Sequence, residues 1–132
     1  MIEVLNRQPR YRVNLKKARA LLEALVARYR PAGRDVTLAF VDTRTIVDLN
    51  RRFLKRRGAT DVLSFPAEDR DLLGDIIICV PQAFRQCYRE AHGLETELHD
   101  LIIHGFLHLA GFDHGHGIEA EEVALRRELV ED

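Results

Sequence analysis

The 132-residue sequence has no tryptophan, one methionine, two cysteines and four prolines. Cys79 and Cys87 are too few for a disulfide scaffold and do not have the C-x-x-C spacing of a metal knuckle. They read as buried thiols of a protein in a reducing compartment. No apolar run approaches the ~20 residues needed to cross a bilayer, which excludes a helical membrane span. Met1 to Arg12 contains no apolar stretch ending in a small-residue cleavage site, so no secretory signal is expected. Repeats, low-complexity tracts and Ser/Pro-rich linkers are also missing, and a single domain over residues 1–132 is expected. A chain of this size buries roughly two-thirds of its unfolded surface and needs no covalent staples. Its 46% hydrophobic and 31% charged residues place it among globular proteins rather than disordered ones.

The net charge of -1 conceals a strong division. Residues 1–57 hold 15 Lys/Arg against 5 Asp/Glu, whereas residues 58–132 hold 5 against 16. Such asymmetry points to a polyanionic partner, or to two halves that neutralise each other in the fold.

Hydrophobic periodicity gives the element order. Ile2–Leu5 is a short strand. Asn14 caps a helix running to about Arg30, with Leu21, Leu22, Leu25, Val26 and Tyr29 on its apolar face and Pro31 and Gly33 beyond it. Val36–Val41 is a buried strand. Asp42 or Thr43 then starts a helix whose Ile46, Val47, Asn50 and Phe53 face inward and which Gly58 closes. Val62–Phe65 is a strand, Glu68–Asp71 a polar turn, and Asp75–Val80 a central strand apolar on both faces. Pro81 opens a helix that ends at Gly93. Leu94–Ala110 is a helix stopped by Gly111 in the left-handed position, and Ile118–Val130 is a last amphipathic helix. The order βαβαββααα predicts an α+β fold: a small mixed four-stranded sheet packed with about five helices.

The chemistry-bearing segment is His104-Gly-Phe-Leu-His108-Leu-Ala-Gly111-Phe-Asp113-His114. Residues four apart on a helix lie within ~40° of each other and one turn along, so His104 and His108 can meet one cation from one rigid face. Gly111 lets the chain turn back and offer His114 as a third ligand, with His116 a lesser alternative. Three neutral imidazoles leave the fourth position of a tetrahedral Zn²⁺ open, and an open position is the mark of a catalytic metal. Imidazole also suits nickel, copper and iron, so zinc is the first choice rather than the only one. The spacing also matches the HExxHxxGxxH pattern of metzincin peptidases. Here Gly105 stands where those enzymes carry their general base, and Gly105 has no group to accept a proton. Asp100, one turn before His104, is placed to accept the second N–H of that imidazole. Asp113 is placed to order the loop after Gly111 or to meet a metal-bound water. His92 and His99 read as incidental.

The full HGxLHLxGxDH pattern of residues 104–114 resembles that of the YbeY-type rRNA maturation endoribonucleases. Thr60-Asp-Val-Leu-Ser-Phe-Pro66 is similar to that family's TDVLSFP segment, Gly74-Asp-Ile to its GDI strand entry, and Leu49-Asn50 to its LN helix element. The resemblance covers roughly residues 35–130. It implies a bacterial, cytoplasmic α+β protein with one zinc per chain held by His104, His108 and His114. It further implies metal-dependent cleavage of single-stranded RNA in small-subunit rRNA maturation and ribosome quality control. Ribosomal RNA and the small ribosomal subunit with its proteins would be the partners, with no membrane involved. Ser64 and Asp61 come near the cleft by the same resemblance, Ser64 more naturally as a hydrogen-bonding strand-end residue than as a nucleophile. The family usually carries an arginine four residues after the helix asparagine, and this chain has Leu54 there. Arg51, Arg52, Lys55, Arg56 and Arg57 surround that position as candidate RNA contacts, with Lys55 or Arg56 expected to supply the missing charge. The substitution leaves a zinc-stabilised RNA- or ribosome-binding factor with little catalysis as the alternative, and a metallopeptidase as a more distant one.

Overall fold

The computed structural model describes residues 1–31, 35–67, 72–89, 92–112 and 117–130. The elements are β1 (Ile2–Asn6), α1 (Leu15–Tyr29), β2 (Asp35–Val41), α2 (Thr43–Leu54), β3 (Val62–Pro66), β4 (Leu72–Cys79), α3 (Val80–Arg89), α4 (Leu94–Leu109) and α5 (Ile118–Leu125). A π-helical turn, Arg126–Val130, continues α5. This is the expected order, and the sheet is mixed and four-stranded in the order β1-β2-β4-β3. β2 pairs in parallel with β1 and β4 (Leu38 opposite Val4 and Ile76), while β3 runs antiparallel to β4, with Ser64 opposite Ile76.

Side-chain alternation along the central strands builds a core on each face. On one face Val36, Leu38, Phe40, Ile76 and Ile78 pack with Leu21, Leu22 and Leu25 of α1, with Ile102, Phe106 and Leu107 of α4, and with Ile118 and Leu125 of α5. On the other, Ala39, Val41 and Cys79 pack with Ile46 of α2. Both cysteines are buried free thiols. Two helix starts are fixed as their residues demand: Asn14 Oδ1 accepts from the Lys17 N–H (3.0 Å) and Asp42 Oδ1 from the Thr45 N–H (2.9 Å).

Three boundaries and the facing of one side chain differ from the sequence-based expectation. α2 stops at Leu54, not near Gly58: Lys55 takes a left-handed conformation (φ 56°) and the Arg56 N–H closes onto the Asn50 carbonyl at 3.2 Å. Gly58, with φ 92°, sits in the loop beyond, where the buried Asn50 amide donates to its carbonyl at 3.2 Å. Phe53 does not face inward; it is 60% exposed, and its ring meets Phe65 of β3 at a centroid distance of 5.8 Å. β4 begins at Leu72 rather than Asp75, and Val80 opens α3 rather than ending the strand. The Glu68–Asp71 turn lies outside the described residues. Gly111 adopts the expected left-handed conformation (φ 100°), and the Phe112 N–H after it closes onto the Leu107 carbonyl at 2.9 Å.

Candidate metal centre and its cleft

Helix α4 lies unusually close to the sheet because of Gly105. A Cβ there would stand 2.7 Å from Ile76 Cγ2 and 3.1 Å from Ser64 Oγ, both on the sheet. The Ser64 hydroxyl donates to the Gly105 carbonyl at 3.1 Å and ties the outer strand β3 to the helix. Gly105 therefore turns its bare side to the sheet, and its neighbours His104 and His108 come out along the flank of α4. They line a cleft of about 350 Å³ whose other wall is β3, through Val62, Ser64 and Pro66.

The two imidazoles converge. Their Nε2 atoms are 3.0 Å apart and their ring planes are 76° to one another. The other nitrogen of His104, Nδ1, is hydrogen-bonded to a carboxylate oxygen of Glu122 on α5. A carboxylate there keeps the proton on Nδ1 and leaves the Nε2 lone pair directed into the cleft. A tetrahedral zinc bound at ~2.0–2.1 Å would hold two nitrogens about 3.3–3.4 Å apart, so this donor pair fits such a cation with a small adjustment. His114 and Asp113, expected as third ligand and loop residue, lie outside the described residues, as does His116.

Asp100 is not the residue behind His104. Its carboxylate pairs with Arg126 Nε at 3.3 Å, and burial, opposed by Arg126, pushes its carboxyl above the usual range. The two helices thus meet as an antiparallel pair of contacts. Asp100 and His104, one turn apart on α4, face Arg126 and Glu122, one turn apart at the end of α5. Sequence reasoning missed Glu122. Its signal was a carboxylate on an apolar stripe, four residues after Ile118 and three before Leu125, both fully buried.

The basic residues at the end of α2 are not among the residues lining the cleft. α2 packs on the opposite sheet face from α4. Arg51 and Arg52 pair with Asp48 at 3.0 and 3.4 Å, and the Arg52 guanidinium lies 5.8 Å from the Phe53 ring centroid. Lys55, Arg56 and Arg57 are exposed in the turn that follows, and Leu54 is 40% exposed. These cations and the histidines therefore flank the same outer strand from opposite faces of the sheet. Asp61 points elsewhere. With its amide nitrogen turned toward them, Gln86 of α3 bridges Asp61 (2.8 Å) and Glu97 (3.2 Å), and Glu97 also holds His92 at 2.6 Å.

This architecture has a counterpart among solved proteins. The solution structure of a Thermotoga maritima protein superposes with a TM-score of 0.72 at 27% identity, covering 98% of this chain and 89% of its own. A family model described as Endoribonuclease YbeY matches residues 3–131. The chain belongs to that family. Proteins named Endoribonuclease YbeY from Pseudomonas entomophila (42% identical, covering 80% of this chain and 72% of the relative) and Alkaliphilus metalliredigens (36% identical, covering 95% and 89%) are among its relatives.

Proposed function

We propose that the chain is a metal-dependent endoribonuclease that cuts single-stranded ribosomal RNA during maturation and quality control of the small subunit, in the cytoplasm. The observation that carries this reading is the convergence of His104 and His108 with Glu122 behind the first of them. Family membership supports RNA as the polymer cut. Zinc, held by His104, His108 and His114, would supply a polarised phosphate oxygen and a water acidified toward pKa ~7. The chain's own contribution is positional. Glu122 fixes the His104 tautomer and ring plane. The Ser64 hydroxyl donates to the Gly105 carbonyl, which supports a role in fixing the cleft wall. Lys55, Arg56 and Arg57 would attract the phosphate backbone toward the outer strand, making up for the absence of an arginine at Leu54.

The test is metal content and RNA cleavage of untagged protein, wild type against His108→Ala. About one zinc per chain, lost together with cleavage in the variant, is expected. Protein that takes up no metal even when zinc is supplied overturns the catalytic reading. Zinc uptake with retained RNA affinity and no cleavage would make the chain a zinc-stabilised RNA- or ribosome-binding factor instead, the outcome that Leu54 would favour.

A further inference from the structure

The three parallel strands β1, β2 and β4 end on the same side of the sheet, and a crevice opens there. α1 and α2 leave the ends of the neighbouring strands β1 and β2 toward opposite faces, as the two cores show. Such a divergence opens a gap outside the carboxyl ends of the strands, the usual ligand position in open α/β sheets. Here the gap is a cleft of about 430 Å³, walled by the β1–α1 loop, the start of α2 and the start of α3. Among the described residues it shares no lining residue with the histidine cleft.

Its chemistry is specific. Arg10, Arg44 and Arg85 line it, one on each wall. The carboxylate among the lining residues, Asp42, is committed to capping α2. Two aromatic rings, Tyr11 and Phe84, also line the cleft; their centroids are 5.0 Å apart with the planes tilted by 36°, the Arg10 guanidinium lies 5.6 Å from the Tyr11 ring centroid, and the exposed Tyr88 meets Phe84 edge-on at 5.2 Å just outside the lining. The loop carrying Arg10 and Tyr11 is held in shape by the buried Gln8. Its amide donates to the Tyr11 carbonyl (2.7 Å) and Asn6 Oδ1 (3.0 Å) and accepts from the Tyr11 N–H (2.9 Å). Arginines on three walls with aromatic rings among them suit a group that is anionic at one end and flat at the other. We infer that this crevice binds a nucleoside phosphate, either as a free nucleotide or as a nucleotide of an RNA strand.

The site does not depend on the metal reading, and its test is separate. AMP binding is measured by calorimetry, and binding of a fluorescent single-stranded RNA hexamer by anisotropy. The full chain is compared with Arg44→Ser and Arg85→Ser, both at exposed positions, and with His108→Ala. Loss of one phosphate-contacting arginine is expected to weaken binding about tenfold or more, while His108→Ala binds AMP as the wild type does. AMP binding that falls in both arginine variants assigns the crevice to free nucleotides. Hexamer binding that falls without measurable AMP binding assigns it to RNA. Affinities for both ligands unchanged in both arginine variants overturn the inference. A failed zinc or cleavage assay leaves this result standing.

Discussion

Single side chains set the properties of the candidate centre. Glu122 should act on the metal without touching it. Glu122→Gln is expected to weaken zinc affinity about 10–100-fold, the usual cost of losing a carboxylate behind a ligand histidine, measured by competition with a chelating dye. Unchanged affinity would remove Glu122 from that role. Asp42 illustrates a different contribution. Hydrogen bonds from the Thr45 hydroxyl and backbone N–H hold its carboxyl below the usual range. A carboxyl depressed in the folded state stabilises the fold fully above its unfolded value and loses that contribution as pH falls through the folded one. Asp42→Ala should therefore cost about 1 kcal/mol near neutral pH, by urea denaturation, and the gap from wild type should narrow below pH ~4. A pH-independent gap would mean the cap acts by shape rather than charge.

Elements carry the next level. α5 holds Glu122 in place through Ile118 and Leu125, both fully buried. Leu125→Ala is expected to lose about 2–5 kcal/mol of stability and to weaken metal binding with it, whereas Val123→Ala, at a 58% exposed position, should do neither. Loss of stability with full metal affinity would show that Glu122 does not rely on α5 docking. Gly105→Ala sets a helix-favouring change worth about 1 kcal/mol against a close approach to Ile76. The clash should win, with a net loss of about 1–2 kcal/mol. Much of this was legible in the sequence, because the elements keep their periods: the isoleucine run at 76–78, the caps at Asn14 and Asp42, and the histidines one turn apart. The misreadings arose where a local signal competed with a tertiary one. Gly58 looked like the helix stop, but Lys55 turns left-handed first. Phe53 shared the stripe of Ile46 and Asn50, but in the last turn of α2 it meets only the rim of that core, through Phe65, and stays 60% exposed. Asp100 had the right spacing for His104, but spacing along one helix cannot reveal that Arg126 and Glu122 arrive from another.

At the scale of the whole molecule, the divided charge is partly neutralised inside the fold. Lys17 pairs with Glu95 and Arg28 with Glu128, each joining the basic half to the acidic half. Lys55, Arg56 and Arg57 make no ion pair among the described residues, so they remain available to a polyanion. Replacing all three with serine should lower the log–log salt slope of single-stranded RNA binding by about 0.7 for each phosphate that is no longer neutralised. An unchanged slope would place the RNA path elsewhere. The close seat of α4 on the sheet also reaches beyond stability. A peptide-hydrolysing relative of this histidine spacing would need a glutamate at position 105. Any side chain there points into Ile76 and Ser64, so acquiring that carboxylate means lifting the helix from the sheet and dissolving the cleft that the histidines line. Among the sequences one substitution away, the path toward proteolysis is closed by packing before metal chemistry comes into play.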